Sequence, residues 1–178
     1  YRNLGLSMTN FGVYINPELK DKESIFELIS CLQEEHGSHS VQNAEIHFYG
    51  DSGQKAFLPE YFQVLDIDSH KGFPSIDCIL VFGGDGTILK AKEMALRTQA
   101  PILGINLGYL GFLSESTVTE IRSSNQDLIS GKYRVLKRML ISCHVKRKGK
   151  VVSKTEALND AVIYKGDNPG LIRVKIFA

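Results

Sequence analysis

Short apolar runs alternate with helical patterns through the first two-thirds of the chain. The longest run has the continuous apolar character of a strand that is buried on both faces of a sheet. Strands are predicted at 12–15, 45–49, 77–82 and 102–105. Residues 50–72 give a mixed pattern that fits a short helix and a loop. Because helical patterns separate most of the strands, the order of elements favours an open, mostly parallel α/β sheet.

Three helices are predicted between or after these strands. Two of them begin with the spacing of a capping box, in which a Ser or Thr and a Glu exchange hydrogen bonds at the helix start: Ser24 with Glu27, and Thr117 with Glu120. The first helix should stop at Gly37 and the other near Gly131. The remaining helix should pack on the sheet through Ile88, Leu89, Ala91, Ala95 and Leu96.

The hydrophobic pattern changes to a period of two after Gly131. Apolar and polar residues alternate at 139–145 and again at 172–176, and a turn is expected at 148–149. No helical pattern lies between these stretches, which is typical of β-hairpins. The change predicts two domains, an α/β domain and a β domain: 1–131 and 132–178.

Composition and charge narrow the classes of function. The 178 residues are 43% hydrophobic and 23% charged, as in ordinary soluble globular proteins. A net charge of +1 gives no argument for a nucleic-acid partner, since such proteins are usually strongly basic. The apolar runs are too short to span a membrane. The 3 cysteines lack the spacing of a zinc site or a disulfide framework, so we expect reduced thiols and a reducing cytoplasm.

The strongest candidate site is the range 83–87, GGDGT, between a buried strand and a helix. Glycines let the backbone turn sharply and approach a ligand, and N–H groups at a helix start form a seat for phosphate. A carboxylate is poorly suited to contact phosphate, because like charges repel. Asp85 is suited instead to accept a hydroxyl proton or to bind the magnesium of a nucleotide. The loop therefore favours phosphoryl transfer to a hydroxyl, and a plain strand-to-helix turn is the alternative.

Two further motifs carry candidate binding groups. The range 106–113, NLGYLGFL, follows the next buried strand and should reach the same carboxyl edge of the sheet, where doubly wound folds bind ligands. Its Tyr109 and Phe112 are either stacking surfaces or core aromatics. Asn159 and Asp160 interrupt an apolar stretch and suit ribose hydroxyls and adenine amino groups, although Asn-Asp is also a common turn pair.

In this order, the three motifs resemble the NAD kinase family. The resemblance extends from about residue 13 to the end of the chain, and the first two motifs in tandem are its most specific part. It implies a Rossmann-like open parallel sheet domain, followed by the beginning of an all-β, sandwich-like domain, with the active site between them. It also implies an enzyme that transfers the terminal phosphoryl group of ATP or polyphosphate to the 2′-hydroxyl of the adenosine ribose of NAD, giving NADP.

The resemblance assigns roles to individual residues. Asp85 would be the catalytic residue that takes the hydroxyl proton or orients the hydroxyl. The nucleotide-binding set would be Gly83, Gly84, Gly86, Thr87, Phe112, Leu113, Asn159 and Asp160. Within this set, the glycines would lie against phosphates, Phe112 near the adenine, and residues 159–160 beside adenine and ribose groups.

The resemblance also implies cofactors and partners. Mg²⁺ or another divalent cation would come with ATP, and no residue is assigned as a protein ligand of a metal. The expected partners are NAD and ATP, without nucleic acid or membrane, in a cytoplasmic homodimer or homotetramer.

The chain departs from the family pattern in two respects. The family often has Glu at the position of Asp160, and the shorter carboxylate changes the geometry of the expected ribose contact. Family members also continue with an Asp-Gly pair and a Thr-Gly-Ser/Thr-rich loop that this chain does not reach. We therefore expect 132–178 to be an incomplete domain of a longer protein.

Two other functions fit parts of the pattern. Lipid kinases of the diacylglycerol or sphingosine type share the GGDGT loop, but they usually have a Gly-Thr-Gly-Asn-Asp-type segment at the position of 106–113. The other alternative is a non-catalytic nucleotide-binding module.

Overall fold

The structure is a computed structural model, and it describes residues 8–39, 45–66, 74–107, 113, 116–130, 132–167, 171 and 173–177. The chain divides into two compact units, Tyr1–Leu136 and Lys137–Ala178. In the described parts, no helix has both the length and the apolar character needed to cross a membrane.

The first unit is built on a six-stranded sheet. Its strands are β1 (Asn10–Ile15), β2 (His47–Asp51), β3 (Gln63–Leu65), β4 (Cys78–Phe82), β5 (Ile102–Asn106) and β6 (Ser116–Thr117). Their order across the sheet is β3-β2-β1-β4-β5-β6, and every neighbouring pair is parallel. This confirms the predicted α/β class, and the strand order is that of the Rossmann fold.

Helices cover both faces of this sheet. They are α1 (Glu23–His39), α2 (Asp85–Thr98) and α3 (Val118–Ile129), and a 3₁₀ helix (Ser52–Phe57) follows β2. Side chains alternate along a strand, so Phe11 and Val13 of β1 point to the face where buried residues of α1 and α3 form the main core. Gly12 faces the other way, toward Met94 of α2.

The two predicted capping boxes have different outcomes. The Thr117 hydroxyl accepts the N–H of Glu120 at 3.3 Å, and the Glu120 carboxylate accepts the N–H of Thr117 at 2.7 Å, which confirms the second box. The first box is wrong, because α1 already begins at Glu23 and Ser24 lies inside it. The Asp21 carboxylate instead accepts the Ser24 N–H at 3.1 Å. Hydrogen bonds from Ser24 and Thr117 lower the pKa of these two capping carboxyl groups.

Three further predictions about helices and strands need correction. Gly37 does not stop α1, which continues to His39. Leu89, Ala95 and Leu96 are only half-buried. Ile88 and Ala91 are buried as predicted, and the buried stripe of α2 is completed by Thr87 and Met94, at positions three and four apart. No apolar pattern predicts β3, because this three-residue edge strand is mostly exposed.

The second unit contains an antiparallel hairpin of β7 (Ile141–Arg147) and β8 (Lys150–Ala157). Lys148 and Gly149 form its turn with φ values of 49° and 78°, the positive values that a two-residue hairpin turn requires. The predicted hairpin is confirmed. The strand predicted at 172–176 is wrong for its described residues 173–176, which form no strand ladder with any described part of the chain.

Candidate functional site

Three loops meet at the carboxyl edge of the parallel sheet. Asn16 follows β1, and its N–H donates to the carbonyl of Phe82 in β4 at 2.9 Å. Gly83 follows β4, and its N–H donates to the carbonyl of Ile105 in β5 at 2.9 Å. These bonds extend the sheet by one residue into the loops. β1 and β4 are neighbours from which the chain leaves in opposite directions along the sheet, and doubly wound folds bind ligands at such a point.

The fold requires a glycine at position 83, whether or not a ligand binds there. Its φ of 147° is a backbone conformation that residues with a side chain rarely adopt. A Cβ atom at this position would also lie 2.4 Å from Oγ1 of Thr87 and 3.1 Å from Cβ of Asn16. Thr87 is 6% exposed and packs beneath the loop. Gly83 and Thr87 therefore shape the turn, and their predicted contact with nucleotide stays a prediction.

The fold does not require glycine at positions 84 and 86. Gly84 has φ −84° and ψ −171°, and Gly86 lies in the first turn of α2, so both have conformations open to other residues. A Cβ atom at either position would meet no atom of the described residues within 4 Å. Both residues therefore present bare backbone that no described part of the chain covers. Glycine at such a position is explained when a ligand lies directly against the backbone.

The start of α2 is suited to an anion. Gly84 is the N-cap residue and provides no side-chain cap to the helix. The first N–H groups of a helix lack partners within the helix, and the helix dipole adds positive potential there. Bare backbone and a helix start together form the kind of surface on which phosphate groups bind in other proteins.

Asp85 joins two of the predicted motifs. It is the first residue of α2, and its Oδ1 accepts the backbone N–H of Leu113 at 2.9 Å. These residues are 28 positions apart, and the bond is partly buried. The structure thus brings Asp85 and Leu113 together. An Asp at a helix start also stabilises the helix dipole, which is the structural alternative to a catalytic role.

Gln54 supports the same edge and is missed by the sequence patterns. Its side chain is 4% exposed, accepts the N–H of Ile15 at 2.8 Å and donates to the carbonyl of Ile15 at 2.5 Å. The pairing of β1 with β2 ends at Val13 and Gly50, so Gln54 takes the place of a strand partner at the end of β1. This holds the chain immediately before Asn16. Gln54 lies in the stretch 50–72, where no regular pattern could have marked it.

The other predicted site residues are placed as follows. Asn159 and Asp160 come after β8 in the second unit, and both are exposed. Phe112 lies outside the described residues. The roles of these three residues stay predictions.

Two of the cavities among the described residues of the first unit lie at opposite edges of the sheet. One of about 470 Å³ lies at the amino ends of β2 and β3 and is lined by His47, Tyr61 and other residues there. The other, of about 390 Å³, lies at the carboxyl edge among the first turns of α1 and α3, beside Asn106. Across it, Arg122 and Glu27 form an ion pair of 2.6 Å. The smaller cavity is the better candidate for ligand binding, because it lies at the edge that α/β sheets use.

The cysteines and acidic groups give no competing site. All 3 cysteines are free thiols, and burial raises the pKa of Cys78 to about 12, so this thiol is inert. Within the described part of the chain, no group of three or more His, Cys, Asp or Glu side chains could hold a metal ion.

Comparison with known proteins finds the family that the three sequence motifs resemble. The family model described as the ATP-NAD kinase N-terminal domain matches residues 5–133. A protein of Desulforamulus reducens called NAD kinase is 32% identical over 170 residues, which are 95% of this chain and 55% of that protein. A protein of Clostridium kluyveri with the same name is 35% identical over 170 residues, which are 96% of this chain and 54% of that protein.

A solved structure agrees at the level of the fold. It is yeast NADH kinase complexed with NADH, with a TM-score of 0.58 and 23% identity over 86% of this chain and 47% of that one. The chain spans about half the length of the relatives that it matches. With the family model matching 129 of its 178 residues (5–133), the chain belongs to the ATP-NAD kinase family.

Proposed function

We propose that the complete protein is an NAD kinase that transfers the terminal phosphoryl group of ATP, or of polyphosphate, to the 2′-hydroxyl of the adenosine ribose of NAD. Membership of the family supports this activity. The observation that carries it is the bare backbone of Gly84 and Gly86 at the start of α2, directly beside Asp85.

The phosphate groups of a nucleotide would lie against Gly84 and Gly86. There the first N–H groups of α2 would donate to phosphate oxygens, and the helix dipole would favour their negative charge. Mg²⁺ would arrive bound to the phosphates of ATP and neutralise part of their charge.

Asp85 would act on the hydroxyl that is phosphorylated. The 2′-oxygen forms a bond to the terminal phosphorus, the bond from that phosphorus to its bridging oxygen breaks, and ADP leaves. The hydroxyl proton passes to the Asp85 carboxylate, whose position is set in part by the N–H of Leu113. Such a carboxylate needs to be within hydrogen-bond reach of the proton that it takes.

Two polar residues after β8 would contact other parts of NAD. Asn159 and Asp160 are exposed and carry the amide and carboxylate that suit adenine amino groups and ribose hydroxyls. Phe112 would lie near the adenine. A homodimer or homotetramer is proposed from the resemblance to the family alone. Three free cysteines suit a reducing cytoplasm.

The test is an assay of the full-length protein with ATP and NAD, in wild type and Asp85→Asn. The variant should bind NAD with unchanged affinity in a titration, but its turnover should fall by about 10²–10⁴-fold, the usual contribution of acid–base assistance. A variant that keeps more than half of the wild-type rate would exclude this role for Asp85. Assay with diacylglycerol tests the lipid-kinase alternative, and binding of NAD without turnover in the wild type would indicate a non-catalytic module.

A further inference from the structure

The hydrogen bond between Leu113 and Asp85 connects the loop after β5 to the first residue of α2. It is 2.9 Å long and links two residues that are 28 positions apart. No regular ladder requires this bond, because Leu113 belongs to no strand or helix. Its donor is a backbone N–H, so the bond does not depend on the identity of the side chain at position 113.

A single Asp side chain at a helix start has torsional freedom of its own. Its terminal torsion is broad, so the carboxylate plane is set by its hydrogen-bond partners more than by its rotamer. A bond from a neutral N–H to a carboxylate is charge-assisted and stronger than a bond between neutral groups. The donor from the loop after β5 is therefore one of the groups that set the direction of the Asp85 carboxylate, and it acts on Oδ1.

We propose that the backbone N–H of Leu113 is a positioning group for the transfer reaction, which holds the Asp85 carboxylate in the orientation that meets the substrate hydroxyl. This inference rests on the proposed function. Small errors in the placement of a reacting group reduce the rate strongly even when the substrate still binds. Loss of the N–H should therefore lower kcat while KM for NAD changes little.

A purely structural role predicts a different result. If Asp85 only holds the loop after β5 in place, removal of the bond should weaken substrate binding. KM for NAD should then rise, and kcat should stay the same. The split between kcat and KM consequently separates the two roles.

The bond can be removed without any change of side chain. Replacement of Leu113 by its α-hydroxy acid, leucic acid, in the full-length protein converts the amide to an ester and deletes only the donor. A matched control is the same amide-to-ester change at Thr9, whose N–H donates to Oδ2 of Asp77 at 2.9 Å and is also partly buried. Asp77 precedes β4 at the opposite, amino edge of the sheet.

We expect the ester at position 113 to lower kcat by roughly 10- to 100-fold, with KM and Kd for NAD within about 2-fold of wild type. The ester at Thr9 should leave kcat unchanged. In an Asp85→Asn background, the ester at 113 should add less than about a 2-fold loss, since the group that it positions has been removed.

An unchanged kcat, a selective rise in KM, or a full additional loss in the Asp85→Asn background would overturn the inference. Failure of the proposed function would look different, because the wild-type protein would then form no NADP at all.

Discussion

Replacement of Gly86 by alanine should make the protein more stable and a weaker nucleotide binder. Gly86 lies in the first turn of α2, and alanine is the better helix former by up to about 1 kcal/mol. A Cβ at this position meets no atom of the described residues within 4 Å, so no clash with them offsets the gain. The melting temperature should stay the same or rise by roughly 2–4 °C.

The same methyl group occupies the space that we assign to phosphate. Overpacking of a close contact by one methyl typically costs about 1–3 kcal/mol. That cost corresponds to a loss of about 5- to 150-fold in affinity. Titration calorimetry of the full-length protein with a non-hydrolysable ATP analogue and with NAD measures it, and thermal melts of the same samples measure stability.

Two comparison variants make the result specific. Gly37→Ala also replaces a glycine within a helix, α1, and should leave nucleotide affinity unchanged. Gly83→Ala combines a positive φ with a 2.4 Å approach to Thr87, so it should lower the melting temperature by on the order of 10 °C. If Gly86→Ala keeps nucleotide affinity within 2-fold of wild type, no ligand lies against that backbone and the argument is refuted.

Other changes test separate parts of the account. Gln54→Leu should destabilise the fold by about 2–4 kcal/mol in urea melts, because it leaves two buried backbone groups without partners; an unchanged midpoint would contradict this. Thr117→Ala should cost about 1 kcal/mol in the same melts, because it removes the acceptor of the Glu120 N–H; an unchanged midpoint would count against the capping box. The backbone N–H and the hydroxyl of Thr117 lower the pKa of Glu120, so the stability that is lost in Glu120→Gln should be present above the ordinary pKa and should fade as pH falls through the lowered one; a difference independent of pH would contradict this. Asn159→Ala and Asp160→Ala should each weaken NAD binding by about 1–3 kcal/mol. The melting temperature should change little, since both residues are exposed. A large loss of stability with normal NAD binding would instead indicate that the pair only forms a turn.

Much of the fold could be predicted because its signals are local. The continuous apolar run of β4 and the capping box at Thr117 depend on neighbouring residues alone. A glycine-containing motif follows each of two buried strands, which predicts that both motifs lie at one edge of a parallel sheet. In the structure these strands, β4 and β5, are paired in parallel.

The rest depends on contacts between distant residues. Gln54 completes the edge of β1 from 39 positions away, inside a stretch without any periodic pattern. The donor to Asp85 is a backbone N–H, which every residue except proline has, so no residue type marks it. Local patterns found the buried Ile88 and Ala91 of α2 but missed its buried Thr87 and Met94.

The site was predictable in its chemistry more than in its geometry. A carboxylate among glycines indicates a hydroxyl acceptor beside phosphates from residue types alone. The structure adds that Gly83 serves the turn, whereas no described part of the chain covers Gly84 and Gly86. This division among three glycines follows from φ values and neighbouring atoms, which no sequence pattern contains.

We propose that the complete protein phosphorylates the adenosine ribose of NAD at the edge formed by the GGDGT loop. The most direct measurement incubates the full-length protein with ATP labelled in its terminal phosphate, Mg²⁺ and NAD, and locates the label in the product by mass spectrometry and phosphorus NMR. The account predicts labelled NADP with the phosphate on the 2′-oxygen, and near loss of that product with Asp85→Asn. Label that stays in ATP, is released as inorganic phosphate, or is found on any other acceptor would contradict it.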